Sequence, residues 1–271
     1  MRVAIQGEPG AFSHEAARRV VGEAEVVPCR TFDALFDALS AGEAEVAVVP
    51  VENTLAGMVQ RPMDLIAERS VHAFAEVRVP VRLCLAARPG ARLRDLKTVA
   101  SHPVALDQCR SFFRDHPWLE AVAAWDTAGS VRDLMAGGAT WDAAIGSELA
   151  CTLYGAEVLA RDLEDDPSNF TRFLAVRTEA GPCPEDPAKV SLAFTLPNVP
   201  GSLHRVLGIF AALELDLSRL ECRPLPGRPW EYRFYADLRG TARARREAAL
   251  AALREIAVVL RVIGVYPEAP G

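Results

Sequence analysis

The chain has 271 residues, of which 50% are hydrophobic and 24% are charged, as in a compact globular protein of one large domain or two smaller ones. Its formal net charge of −6 argues against a nucleic-acid-binding protein, which needs a basic surface, but permits a small anionic ligand at a local positive site. Six cysteines without C-x-x-C spacing favour free thiols over disulfides or zinc, and no apolar run suits a signal peptide or a membrane span, so we expect a cytoplasmic protein.

The first part of the chain alternates short apolar runs with amphipathic segments. "VAIQ" (3–6) predicts a strand that ends at Gly7, and "GEPGAFSHEAA" predicts a turn into a helix capped by Ser13. "TFDALFDALSAG" predicts a second helix that ends at Gly42. "VAVVPV" (46–51) has the length and composition of a buried parallel strand. This alternation predicts an α/β sheet.

The same pattern restarts near residue 80. "VRLCLAA" (81–87) and "TVAS" (98–101) predict strands, and "HPVALDQCRSFFRD" predicts one helix with Pro103 in its first turn and Ser101 as its cap. We interpret residues 1–178 as one unit of two α/β lobes. The first lobe comprises residues 1–79 plus 159–178 and the second comprises 80–158, and a cleft between two such lobes is a common place for a small ligand.

The C-terminal part has a different order of elements. "TEAGPCPEDPA" (178–188) is rich in proline and predicts a linker. The segments that follow predict β-α-β-β-α-β over residues 188–271, a ferredoxin-like module. We expect the run "RARR" near residue 245 to be a solvated helix face.

Eight short motifs, in their order along the chain, resemble those of prephenate dehydratase. They are "GEPGAFSHEAA", "VVPVENTLAGMV", "SHPVALDQC", "DTAGS", "AAIGS", "NFTRF", "NVPGSLHRVLGIF" and "LECRP". The resemblance covers nearly the whole chain. It departs from the usual family residues at Ala11 and Ser202, at Cys222, and at His204, where the family commonly has "GALV" instead of "GSLH". Members of this family are inhibited by L-phenylalanine, and the change at His204 bears on how strongly the amino acid inhibits more than on whether it does.

The resemblance implies a hydro-lyase that converts prephenate to phenylpyruvate, water and carbon dioxide in L-phenylalanine biosynthesis, without a cofactor or a metal. It implies an α/β fold with a two-lobed, periplasmic-binding-protein-like catalytic domain over 1–178. A ferredoxin-like (βαββαβ) ACT regulatory domain follows over 188–271. In this family the ACT domain binds L-phenylalanine as an allosteric inhibitor where two such domains meet, which implies a homodimer or a homotetramer.

The motif "NFTRF" (169–173) places a hydroxyl beside a guanidinium. Thr171 resembles the family's catalytic threonine, and we expect it to hydrogen-bond the leaving hydroxyl, because a free threonine is too weak an acid to donate its proton outright. Arg172 suits a bidentate clamp on the side-chain carboxylate of the substrate. The alternative for Arg172 is a structural ion pair with one of three nearby carboxylates, Glu164, Asp165 or Asp166.

Further candidates lie at the ends of predicted strands. Glu52 follows a buried strand and is either a protonated donor or a scaffold or relay residue, whereas Asn53 can hydrogen-bond substrate through both amide atoms. Ser101 and Gln108 match cleft positions of the family, although Ser101 serves equally well as a helix cap. His102, which precedes a proline, is expected to be structural.

Further residues are candidates for substrate binding. If Arg172 forms a structural ion pair, backbone N–H groups at the helix start around Thr127 and Ala128 can receive the side-chain carboxylate instead. Gly10 belongs to a glycine turn that can cradle a carboxylate, although a strand-to-helix turn explains it equally well, and Phe173 is a further candidate. For L-phenylalanine the implied residues form two groups: Asn198, Pro200, Gly201, Ser202 and Leu203, and Glu221, Cys222, Arg223 and Pro224.

Two other functions fit the same sequence. Arogenate dehydratase would perform the same elimination on a substrate whose side chain carries an amine. A non-catalytic two-lobed sensor of a small anion is permitted by the fold alone.

Overall fold

A computed structural model describes residues 1–182 and 188–269. They form two compact units, Met1–Pro62 with Val77–Ala175, and Met63–Glu76 with Val176–Gly271. These units differ from the predicted domains, because residues 63–76 belong to the same unit as the C-terminal part of the chain. The division into a catalytic domain over 1–178 and a regulatory domain over 188–271 remains a prediction. Part of the predicted linker, 183–187, lies outside the described residues.

The N-terminal segment contributes three parallel strands with their helices, and a short fourth strand that pairs antiparallel with the third. Its elements are β1 (Arg2–Gln6), α1 (Phe12–Val21), β2 (Glu25–Cys29), α2 (Phe32–Ser40), β3 (Val46–Asn53), β4 (Gly57–Met58), α3 (Gln60–Glu68) and β5 (His72–Pro80). Strand β1 lies between β2 and β3 and is parallel to both. The run Val46–Val49 is buried, as expected of a parallel strand covered on both faces.

A second sheet forms the other lobe of the first unit. Its elements are β6 (Cys84–Ala87), β7 (Thr98–Ser101), α4 (Pro103–Asp107), α5 (Arg110–Asp115), β8 (Glu120–Ala123), α6 (Thr127–Ala136), β9 (Ala143–Gly146), α7 (Glu148–Tyr154) and β10 (Glu157–Ala160). The strand order is β10-β6-β9-β7-β8. Apolar side chains such as Leu85, Val99 and Ile145 form its core. The chain then returns as β11 (Phe170–Arg177), which lies beside β3.

The C-terminal segment has the predicted βαββαβ order. Its elements are β12 (Ala188–Thr195), α8 (Ser202–Ala212), β13 (Asp216–Leu225), β14 (Arg228–Thr241), α9 (Arg243–Ile256) and β15 (Val259–Tyr266). The strands pair antiparallel in the order β13-β14-β12-β15. Phe194, Val206 and Leu253 belong to the core between this sheet and its helices. The predicted α/β fold class is thus confirmed.

Three local predictions are wrong. The cap of α1 is Ala11, with Ser13 buried inside the helix, and the cap of α4 is His102, whose Nδ1 accepts from the amide of Val104. Arg246 of the basic run is buried and donates to the carbonyl of Thr241 at 3.2 Å, so this run is only partly a solvated face.

The single helix predicted from 102 is also wrong, because it breaks at Cys109 into α4 and α5. Cys109 has φ −119° and ψ 30°, outside the helical region. The carboxylate of Asp165 accepts from the amides of Arg110 and Ser111 at 3.0 and 2.9 Å and so caps the start of α5. A residue distant in sequence therefore starts the second helix.

The prediction of free thiols is confirmed for the five described cysteines. Four are buried, and burial raises the pKa of Cys84 and Cys109 to about 12, whereas Cys222 is exposed. Cys183 lies outside the described residues. Within 1–182 and 188–269, the helices are all too short or too polar to cross a membrane.

Candidate active site

The ends of β3 and β11 bring an amide and a hydroxyl together. Asn53 Nδ2 donates to Thr171 Oγ1 at 3.0 Å, and also approaches the Asn169 Oδ1 at 2.8 Å and the Phe170 carbonyl at 3.2 Å. The other end of the same amide is fixed as well, since Asn53 Oδ1 accepts from two backbone N–H groups, those of Leu55 and Ala56. The orientation of Asn53 is therefore determined by its surroundings.

This hydrogen bond has a direct chemical consequence for Thr171. Its oxygen accepts from the Asn53 amide, so its own proton points toward a different acceptor. A hydroxyl that receives a hydrogen bond on oxygen is also a better donor, because hydrogen bonds in a chain polarise one another. Thr171 is only partly buried, which leaves it accessible to a ligand.

Arg172 and Glu52, which are the chain neighbours of Thr171 and Asn53 on β11 and β3, form an ion pair. Arg172 Nη1 lies 3.2 Å from Glu52 Oε2, and the arginine side chain is 8% exposed whereas the glutamate is 38% exposed. The three carboxylates that the sequence offered as partners are engaged elsewhere: Glu164 with Arg82 and the amide of Leu83, Asp165 with the start of α5, and Asp166 with Ser168. The pair thus combines a buried cation with a carboxylate that reaches solvent.

The turn "GEPG" (7–10) contacts the second lobe rather than forming an open cradle. Ser147 Oγ donates to the Gly10 carbonyl at 2.5 Å, and Tyr154 Oη donates to the Pro9 carbonyl at 2.8 Å. Gly10 has φ +92°, and a Cβ added there would lie 2.7 Å from Cα of Ala150. Close packing between the lobes therefore explains this glycine.

Asp126 is a buried acid at the start of α6. Its Oδ1 caps the helix by accepting from the amide of Gly129 at 2.5 Å, and a Cβ added to Gly7 would lie 2.8 Å from its Oδ2. Burial raises the pKa of its carboxyl group, opposed by the hydrogen bond from Gly129. Of the two neighbours expected to bind substrate, Thr127 is partly exposed and Ala128 is buried in the lobe core.

The remaining expected residues lie in more structural surroundings. Ser101 is fully buried, and its Oγ donates to the Ile145 carbonyl at 2.8 Å across the second sheet. Gln108 ends α4, and its carbonyl accepts from the amide of Asp165 at 2.7 Å. Phe173 is 2% exposed within the core.

Two residues were missed by the sequence reasoning. Asn169 belongs to the motif "NFTRF", in which the sequence assigns a role only to the hydroxyl and the guanidinium. Asp126 stands directly before Thr127, where an aspartate commonly caps a helix, and that signal was available.

The second unit contains a cavity of about 290 Å³ at the start of α8. Of the residues expected to bind L-phenylalanine, four line it: Asn198, Gly201, Ser202 and Leu203. The cavity also has an aromatic side formed by Trp230, Tyr232 and Phe234, and a polar side chain, His204.

The motif "ECRP" (221–224) has other contacts. Arg223 pairs with Asp64 of α3, which also accepts from Tyr235 Oη at 2.9 Å, and Arg219 pairs with Glu221 at 2.9 Å. The predicted ligand contacts of this motif stay a prediction.

Comparison with known proteins places these features in a family. The prephenate dehydratase family model matches residues 3–181. Arogenate dehydratase/prephenate dehydratase 1, chloroplastic, of Arabidopsis thaliana is 36% identical over 98% of this chain and 72% of its own length. Arogenate dehydratase 2 of Petunia hybrida is 37% identical over 100% of this chain and 73% of its own length.

Solved structures agree with these sequence matches. Prephenate dehydratase from Arthrobacter aurescens, in complex with L-Phe, is 34% identical with a TM-score of 0.90, over 99% of this chain and 90% of that one. A protein described as GqqA, a novel type of quorum quenching acylase, is 33% identical with a TM-score of 0.90, over 100% and 99%. The family model spans most of the first unit, and the relatives match along nearly the whole chain. The chain therefore belongs to the prephenate dehydratase family of hydro-lyases.

Proposed function

We propose that the protein converts prephenate to phenylpyruvate, water and carbon dioxide. The hydrogen bond from Asn53 to Thr171 supports this proposal, because it occupies the Thr171 oxygen as an acceptor and leaves the hydroxyl proton to be donated to another group. In the reaction the bond from the ring to its carboxylate breaks and carbon dioxide leaves. The electron pair enters the ring as the C–O bond breaks, and the departing hydroxide takes up a proton from solvent to leave as water.

Thr171 acts in this step as a hydrogen-bond donor to the departing oxygen. Negative charge grows on that oxygen as the C–O bond breaks, so a donor aimed there stabilises the transition state more than the ground state. Asn53 holds the hydroxyl in place and strengthens it as a donor.

Arg172 is proposed to bind the side-chain carboxylate of the substrate. Its guanidinium is buried, and a carboxylate that approaches it competes with Glu52, whose side chain is 38% exposed. The ring carboxylate must stay weakly held, because strong stabilisation of that group would oppose its loss as carbon dioxide.

The test measures phenylpyruvate formation from prephenate by the natural protein and by Thr171→Ala and Asn53→Ala. We expect Thr171→Ala to lower kcat by on the order of 100-fold or more, as for loss of one hydrogen-bond donor to a developing negative charge. A Thr171→Ala variant with natural kcat would refute the assignment. A natural protein that binds prephenate without turning it over would favour arogenate as the substrate, and a protein inactive on both compounds would be a sensor instead.

Arogenate is a second candidate substrate, favoured by the ion pair itself. Arogenate carries an ammonium and a carboxylate on the same side-chain carbon, and Glu52 beside Arg172 offers one partner for each. The relative from Petunia hybrida is described as an arogenate dehydratase, and the one from Arabidopsis thaliana as an arogenate dehydratase/prephenate dehydratase. We expect Glu52→Gln to lower kcat/KM for arogenate more than for prephenate, and equal losses on both substrates would remove this reason for arogenate.

Acylase chemistry is less well supported. It needs a nucleophile activated by an adjacent general base. The hydrogen bond at Thr171 Oγ1 instead comes from an amide donor, which withdraws electron density from the oxygen.

We also propose that L-phenylalanine inhibits the enzyme from the cavity of the second unit, which would make this unit an ACT domain that pairs with a second copy. The start of α8 offers backbone N–H groups to a carboxylate, and Leu203, Tyr232 and Phe234 offer apolar contact to a ring. The relative from Arthrobacter aurescens is described in complex with L-Phe. Replacing Gly201 by valine should weaken inhibition and spare kcat, since φ there is +82° and the turn would change.

A further inference from the structure

The buried side-chain amide of Asn169 contacts Asn53, which in turn holds Thr171 of the proposed site. Asn169 is 0% exposed and directly precedes β11. Its backbone is fixed on both sides, because its carbonyl accepts from the amide of Val81 at 2.8 Å and its amide donates to the Asp166 carbonyl at 3.3 Å. Its side chain faces Asn53, whose Nδ2 donates to Asn169 Oδ1 at 2.8 Å.

The hydrogens of the Asn53 amide are shared among three acceptors. Asn53 Nδ2 carries two hydrogens and lies 2.8 Å from Asn169 Oδ1, 3.0 Å from Thr171 Oγ1 and 3.2 Å from the Phe170 carbonyl oxygen. The bond to Asn169 has the shortest distance of the three. Together with the backbone N–H groups of Leu55 and Ala56, which hold Asn53 Oδ1, this bond fixes the plane of the amide and so fixes where the second N–H points.

Burial alone does not explain an amide at position 169. Among the residues that the structure describes, Asn169 Nδ2 is buried without a hydrogen-bond partner, an arrangement that costs stability. An apolar side chain of similar size would avoid that cost. What such a side chain would lack is the oxygen that receives Asn53.

We propose that Asn169 is a positioning residue for the dehydration. It holds the Asn53 amide so that its second N–H donates to Thr171 Oγ1, and the Thr171 proton then faces the departing hydroxyl. This inference rests on the proposed role of Thr171. Asn169 itself makes no contact with the reacting atoms.

A double-mutant cycle on kcat tests this, with Asn169→Leu, Asn53→Ala and the combination. We expect Asn169→Leu to lower kcat by roughly 10- to 100-fold, with KM changed only a few-fold, as for a misplaced catalytic group. In the Asn53→Ala background the same substitution should have almost no further effect, because the residue it acts through is gone. If Asn169→Leu does not fold, Asn169→Ala removes the same oxygen and takes its place.

Thr54→Val is the matched control. Thr54 Oγ1 donates to the Ser168 carbonyl and accepts from the amide of Phe170, both at 2.9 Å, so it anchors the same stretch of chain through hydrogen bonds that do not involve the Asn53 amide. We expect kcat to fall by no more than a few-fold. Equal losses in Thr54→Val and Asn169→Leu, or losses that multiply in the cycle, would reduce Asn169 to a structural residue. If Asn169→Leu keeps the natural kcat while Thr171→Ala is inactive, the role of Asn169 is refuted and the proposed site still stands. If Thr171→Ala itself keeps the natural kcat, the proposed site is refuted.

Discussion

Replacing Gly10 by alanine tests whether the two lobes of the first unit depend on the "GEPG" turn. The added Cβ would lie 2.7 Å from Cα and 2.8 Å from Cβ of Ala150, closer than such atoms approach, and φ is +92°. Adopting positive φ costs an L-residue about 1–2 kcal/mol. Overpacking against fixed backbone adds about 1–3 kcal/mol. We therefore expect a loss of about 3 kcal/mol in unfolding free energy and a melting temperature lower by roughly 6–12 °C.

Gly155→Ala separates these two contributions. Gly155 ends α7, the helix that contains Ala150, and has φ +72°, but a Cβ added there meets nothing within 4 Å. We expect it to cost only about 1 kcal/mol, the conformational part. The difference between the two variants then measures the contact between the lobes.

Thermal unfolding by calorimetry and steady-state kinetics are the assays. Because Ser147 and Tyr154 of the second lobe both hold the turn, a displaced turn should also raise KM. Equal destabilisation by Gly10→Ala and Gly155→Ala would refute the packing argument. Destabilisation by Gly10→Ala with natural KM would show that the contact matters for stability and not for the cleft.

Three further predictions concern single side chains. Ala11→Ser supplies the missing cap oxygen of α1, so the unfolding free energy should rise by about 1 kcal/mol in denaturant titrations. Burial raises the pKa of Asp126, so the folded state binds its proton more tightly than the unfolded state. Its contribution to the free energy of unfolding is therefore present at low pH and is lost as the pH rises through the raised pKa. Asp126→Asn should remove this loss of stability when the free energy of unfolding is measured from acid to neutral pH. His204→Val replaces a polar group in the cavity by an apolar one, so L-phenylalanine should inhibit at roughly 3- to 10-fold lower concentration.

Much of the fold was readable from periodicity and turn residues. The buried run Val46–Val49 and the C-terminal βαββαβ order follow from apolar patterns that leave few alternatives. The helix prediction over residues 102–115 was wrong because a contact from a residue distant in sequence determines where the second helix begins. Asp165 starts α5 from 55 residues away in sequence, and no pattern within the helix itself signals that contact.

The same limit applies to the site. Thr171, Asn53, Arg172 and Glu52 were selected by motif and chemistry, but the pairing of Arg172 with Glu52 needed the sheet, which sets β11 beside β3. Local sequence favoured the acidic stretch that precedes the motif. Asn169 lies directly before β11, and the acceptor that it offers to Asn53 is recognisable only when β3 and β11 are placed side by side.

The 118 residues that separate Asn53 from Thr171 bear on how the enzyme is made. Synthesis runs from the N-terminus, so β3 and the whole second lobe exist before β11 has been translated. A chain that stops short of residue 171 has Asn53 but lacks the hydroxyl that Asn53 holds. Closing so long a loop is also slow relative to forming local helices. During refolding, recovery of turnover should lag behind recovery of helix, and enzyme activity then reports the arrival of a single returning strand.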